Sequence, residues 1–142
     1  WSDRSAVWAL SRENIPDAVT YAEPFDAGVY RLGLRWSLFN MLNGNPEQWW
    51  VLHRGPAGQA LGAVRTRANI DGPNHHIELM LRDDANPALG AVLLDAALRR
   101  FQPYISKPVY AAQSWPHAAT HTALREAGFQ AARHLVHMRL DV

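Results

Sequence analysis

The apolar positions change period several times along the chain, and each change marks an element. Residues 6–10 (Ala-Val-Trp-Ala-Leu) form a continuous apolar run short enough for a buried strand. Pro16 and Pro24 then interrupt the chain and leave room for a short helix between them. Over 29–42 the spacing is helical. Leu32, Trp36 and Phe39 fall at i, i+4 and i+7, and Leu34, Leu38 and Met41 repeat that spacing. Arg31, Arg35 and Asn40 hold a narrower polar side, and Asn43-Gly44-Asn45-Pro46 ends the helix.

Residues 49–53, 61–67 and 75–81 are rich in strand formers. They are separated by Gly55-Pro56-Ala57-Gly58 and Asp71-Gly72-Pro73-Asn74, which are turn sequences. Strand, turn, strand, turn, strand predicts an antiparallel meander. The helical period returns after Asn86-Pro87, an N-cap followed by a proline suited to a first helical turn. Leu89, Leu93, Leu94, Leu98 and Phe101 form its apolar stripe, which stops near Gln102-Pro103. Residues 109–112 read as a short buried strand. A last helix runs from Ser114-Trp115-Pro116 to Gly128, a residue placed to close it in the left-handed conformation. Residues 133–140 alternate, with Val136, Met138 and Leu140 on one side, and predict a final strand.

The order β-α-(α)-β-β-β-α-β-α-β predicts an α/β chain, in the mixed α+β sense: one central, mixed, twisted sheet with helices on both faces. With 142 residues, the chain reads as a single domain over 1–142. It begins Trp1-Ser2-Asp3 without a methionine, and is read as excised from a longer polypeptide. Lys+Arg number 14 against Asp+Glu 13, so no global field draws nucleic acid or an anionic membrane. There is no cysteine, which excludes disulfides, a thiol nucleophile and thiolate metal sites, and fits a cytoplasmic setting.

This order, with two segments, resembles the GNAT superfamily of N-acetyltransferases. Ile77-Glu78-Leu79-Met80-Leu81, leading through a loop into Gly90-Ala91-Val92-Leu93-Leu94, is similar to that family's central strand, pyrophosphate loop and following helix. Ala123-Leu124-Arg125-Glu126-Ala127-Gly128-Phe129 resembles its late helix, which often runs into Gly-Phe. The resemblance implies a GNAT-like acyl-CoA N-acyltransferase fold and acetyl-CoA as co-substrate. Main-chain groups of Leu79, Met80 and Leu81 would hold the thioester arm. Asn86, Ala88, Leu89, Gly90 and Ala91 would hold the diphosphate at a helix N-terminus.

The chain also departs from the family pattern. The family loop, Arg/Gln-x-x-Gly-x-Gly/Ala, falls on Ala85, Ala88 and Gly90, and only Gly90 agrees. Pro87 removes an amide donor. Asp83 and Asp84 bring negative charge, and a like-charge pair ~8 Å apart costs roughly 2 kcal/mol at an effective dielectric of ~20. The tyrosine that many members use as general acid falls on Leu124, and an asparagine often found earlier on that helix falls on His117.

Acetyl transfer to an amine needs a base. Glu78, inside an apolar strand, is the first candidate, because such surroundings make a carboxylate a better base. Its bland alternative is an ion pair with Arg65 or Arg67 on the neighbouring strand. His76 shares its face and is the second candidate. His117 and His121, spaced i, i+4, would share a helix face and could protonate the departing thiolate. No metal is expected, since HExxH and a third ligand are missing.

Two readings follow. One is a GNAT-like N-acetyltransferase acting on a small-molecule or protein amine. The other is a catalytically inactive module of the same fold, a structural or ligand-sensing partner of a second domain. The broad apolar helix at 29–42 suggests contact with a second domain or a second copy of the chain.

Overall fold

The computed structural model describes residues 2–14, 33–55, 58–113 and 117–132. The elements are α1 (Ser2–Asn14), α2 (Leu34–Leu42), β1 (Glu47–His53), β2 (Ala60–Arg67), β3 (His75–Leu81), α3 (Ala88–Phe101), β4 (Val109–Ala111) and α4 (Ala118–Glu126). Four strands form one sheet in the order β1-β2-β3-β4. β1, β2 and β3 pair antiparallel, and β4 joins β3 in parallel. This is the expected mixed α/β sheet. The expected helix between Pro16 and Pro24, the start of the 29–42 helix and the last strand over 133–140 lie outside the described residues.

Two expectations fail: the strand at 109–111 forms but is not buried, with Tyr110 46% exposed, and the first apolar run is not a strand. Residues 6–10 are helical, inside α1, and not a strand. The apolar run concealed a helical burial pattern, because Val7, Leu10 and Ser11 are buried at i, i+3 and i+4 while Ala9 is exposed. Asp3 in the first turn and Arg12 in the last complement the helix dipole.

Strand alternation gives the sheet two different faces. Val64, Ile77, Leu79 and Leu81 point to one face and pack with Leu93, Leu94, Ala97 and Phe101 of α3 and Ala123 and Leu124 of α4. Ala63 and Met80 point to the other and pack with Val7 and Leu10 of α1. Trp49 and Trp50 are split in the same way: Trp49 lies with the α1 cluster and Trp50 with the α3–α4 cluster. Helices thus cover both faces, as the sequence implied.

α4 closes as predicted. Gly128 has φ +90°, its N–H donates to Arg125 O, and Phe129 N–H donates to Leu124 O. These are the two bonds of a Schellman ending, in which glycine supplies the left-handed residue without steric cost. On α2, Leu38, Phe39, Met41 and Leu42 remain at least half exposed. No described helix is long and apolar enough to cross a membrane.

Candidate functional site

β3 runs on past the end of β4, whose three residues all pair with it. Pairing runs through His75↔Val109, His76↔Tyr110 and Ile77↔Ala111, and stops there. β3 continues from Glu78 to Leu81 beyond the last β4 pair. The side chains of Leu79, Met80 and Leu81 are buried in the two cores, so only main-chain atoms of this stretch can meet a ligand. Leu79 turns its carbonyl to the β4 side of the strand, where Gln113 Nε2 donates to it at 3.3 Å. Within a strand the N–H and C=O of one residue point the same way, so the Leu79 amide faces that side too.

The loop that follows is stapled on both sides. Arg82 donates to Asp84 (2.7 Å) and lies 3.6 Å from Glu13 of α1. The Arg82 hydrogen bond holds the Asp84 carboxyl below the usual carboxylate range. Asp83 Oδ1 lies 2.5 Å from His117 Nε2, an ion-pair approach without hydrogen-bond alignment. Both aspartates therefore stay in the loop as internal counter-charges, and Arg82 is engaged rather than held out for an incoming anion.

The start of α3 is satisfied by its own chain. Ala88 N–H donates to Asn86 Oδ1 (3.0 Å), Leu89 N–H to Asn86 O (2.9 Å) and Gly90 N–H to Pro87 O (2.9 Å). Asn86 is thus the cap the sequence suggested. Asn86, Ala88 and Ala91 are exposed, while Gly90 is buried. A Cβ on Gly90 would lie 2.5 Å from Ala123 Cβ and 3.0 Å from Leu81 Cδ1. Its small size serves the close approach of α3 to α4 and β3. Ala85, where the family loop carries Arg or Gln, is a buried alanine.

The α1 face of the sheet carries the charge. Where α1 stops covering it, the cross-strand rows are Trp49–Arg65–Glu78 and Glu47–Arg67–His76. Arg65 is buried and lies between two carboxylates: Nη2 donates to Glu47 Oε2 at 2.8 Å and Nη1 to Glu78 Oε2 at 3.4 Å. Burial pulls the Arg65 pKa down, and the Glu47 and Glu78 charges more than reverse that, leaving it raised. Glu47 also accepts from Trp49 Nε1 (2.9 Å) and Asn40 Nδ2 (3.3 Å), and its side chain is only 3% exposed. Arg65 Cζ sits 5.5 Å from the Trp49 ring centroid, within cation–π range.

Glu78 therefore takes up the ion pair with Arg65 that was its bland alternative, yet keeps 32% of its side chain exposed. A paired but accessible carboxylate can still accept a proton. His76 is exposed on the same face, two residues away. Burial, then Arg67 and His75, lower its pKa, so the neutral ring is favoured.

His117 and His121 are not brought together as a pair. His117 is the N-cap of α4, with φ −69° and ψ 115°. Thr120 N–H donates to its Nδ1 at 3.5 Å and Thr120 Oγ1 lies 3.1 Å from the same atom. His121 sits exposed one turn on. The i, i+4 rule holds for two helical residues, and His117 is not yet in the helix. Leu124, at the family's tyrosine position, is buried in the core. Among the described residues no three potential ligands converge on a metal position.

Glu47 is the functional-face residue that sequence reasoning missed. It stands two residues before the predicted strand, and its role depends on hairpin register. Counting back from the turn at 55–58 would have set it across from Thr66, because the register shifts by one between Leu52 and His53.

No protein-family model matches the sequence, and no curated protein matches it. Among solved structures, a Trypanosoma brucei acetyltransferase is similar to this chain, with a TM-score of 0.56 and 20% sequence identity over 99% of this chain and 94% of that one. A likeness at that identity concerns architecture alone: this chain shares the α/β fold of that acetyltransferase.

Proposed function

We propose that the chain is an acetyltransferase that takes acetyl-CoA as co-substrate and an amine as acceptor. The observation that carries this reading is that β4 pairing ends at Ala111 while β3 continues, so that beyond it the Leu79 carbonyl is met by the Gln113 side chain and not by a strand. A thioester arm is an extended, amide-bearing chain, and the main-chain groups of Leu79, once Gln113 withdraws, are a natural partner for it. Glu78 takes the proton from the attacking amine. The amine nitrogen bonds to the acetyl carbon, the carbon–sulfur bond breaks, and the thiolate leaves. Water protonates that thiolate, because Leu124 offers no proton and the His117 ring is tied to Asp83 and Thr120.

The diphosphate seat is poor. The three amides at Ala88, Leu89 and Gly90 are already bonded, and an anion there would have to compete with Asn86. Gln113 must also leave the Leu79 carbonyl. The reading therefore implies weak acetyl-CoA binding that strengthens in Gln113→Ala. The same self-capped helix start favours the second reading, an inactive module of this fold.

Calorimetric titration separates the two. Binding heat with acetyl-CoA at about 1 mM, where an interaction of about 4 kcal/mol half-saturates, supports the transferase. Loss of roughly 10²-fold or more in acetyl-CoA consumption on Glu78→Gln, with folding unchanged, supports Glu78 as base. No heat from either the native chain or Gln113→Ala leaves the inactive module.

A further inference from the structure

The charged face of the sheet carries an unequal distribution of partners. Glu47 is spoken for: one oxygen accepts from Trp49, and the other from Arg65 at 2.8 Å and Asn40 at 3.3 Å. Arg67, the second guanidinium of the cluster, reaches that same oxygen only at 3.9 Å, and its side chain is 44% exposed. Its donors are therefore not used up by the protein's closest carboxylate. On the adjacent strand, Arg67 faces His76 and is the diagonal neighbour of Glu78. Diagonal side chains on one sheet face have Cβ atoms about 7–8 Å apart. An exposed cation and a partly exposed carboxylate thus stand at the two ends of a gap that a small molecule can bridge.

We propose that this face binds an amine that also carries a carboxylate on the neighbouring carbon, an α-amino acid or the equivalent end of a larger molecule, with Arg67 holding the carboxylate and Glu78 the amino group. The planar guanidinium suits a carboxylate because its N–H groups match the two oxygens. His76, which favours the neutral ring, stands beside Arg67 as a further hydrogen-bonding group for the same carboxylate. The amino group lies against the carboxylate that accepts its proton. This inference rests on the transferase reading for its chemical purpose, since it names the acceptor class. The binding itself does not require acetyl-CoA.

The test uses L-alanine and ethylamine, which differ only by the carboxylate, as probes of the intact chain without acetyl-CoA, followed by amide chemical shifts. L-alanine is expected to bind at least roughly tenfold more tightly than ethylamine, with shifts at Arg67, His76 and Glu78. Arg67→Ala is expected to erase that preference and leave the weak ethylamine response in place, and Arg67→Lys to restore part of it. Equal binding of the two probes, no binding of either, or a preference that survives Arg67→Ala overturns the proposal. If L-alanine is preferred through Arg67 but acetyl-CoA gives no heat, the transferase reading falls and the amino-acid site stands.

Discussion

The two faces of the sheet are built from the same three strands, one residue out of step, and they have different jobs. The face under α3 and α4 is mainly apolar, with Val64, Leu79, Leu81, Leu94 and Ala97 nearly fully buried, and its polar members Thr66 and His75 are buried as well. The face under α1 is apolar only where Val7 and Leu10 reach Ala63 and Met80. Beyond that contact the strands carry Glu47, Arg65, Glu78, Arg67 and His76. A full helical cover dries one face and makes it a scaffold. A partial cover leaves the other face with charges that are close-packed at Arg65 and open at Arg67 and Glu78.

The comparison can be broken most severely at Glu47. Glu47→Ala strands the buried Arg65 with one partner, and should cost about 3–5 kcal/mol in denaturant unfolding. The double change Glu47→Leu with Arg65→Met should recover much of that, since neither charge is then buried alone. A loss well under 1 kcal/mol for the single change would mean that this face is solvated throughout.

On the scaffold face, Leu94→Ala should cost about 2–5 kcal/mol, with no change in acetyl-CoA affinity beyond that due to unfolding. Gly90→Ala should cost about 1–3 kcal/mol by pressing on Ala123. In a double-mutant cycle, Ala123→Gly should couple favourably to it by about 0.5–3 kcal/mol. Absence of coupling would mean that Gly90 is small for a reason other than the α3–α4 approach.

Gly128→Ala should cost about 1 kcal/mol, because alanine must adopt the left-handed conformation that ends α4. The smallest effect concerns pH. The folded chain resists protonation of His76, while the unfolded chain accepts a proton near the ordinary value of about 6.5. The unfolded state therefore binds more protons just below that value, and stability falls as pH is lowered through it. Below the folded value both states are protonated and the loss stops growing. His76→Gln should flatten this part of the profile, and an unchanged slope would show that the ring is not disfavoured as a cation.

The meander, α3, β4 and the Gly128 ending were legible in the sequence because each depends on local signals: alternation, caps and turns. Residues 6–10 misled because five apolar residues fit a strand or the middle of a helix equally well. The polar stretches on either side, with Asp3 early and Arg12 late, were the better guide. Glu78 was legible as a polar residue in an apolar strand, and its Arg65 partner followed from adjacent strands. Glu47 was not, since only the register between β1 and β2 brings it to Arg65. The loop was legible as an atypical diphosphate seat, but not as self-capped, because that depends on where the Asn86 side chain turns.

The central claim, that β3 beyond the end of β4 receives the arm of a thioester carrier, is tested most directly by amide chemical shifts of the chain titrated with acetyl-CoA. The account predicts saturable shifts that centre on Leu79 and its neighbours in β3, with the Gln113 side-chain amide released from the Leu79 carbonyl. Shifts that spare residues 78–81, or none at about 1 mM ligand, would contradict it.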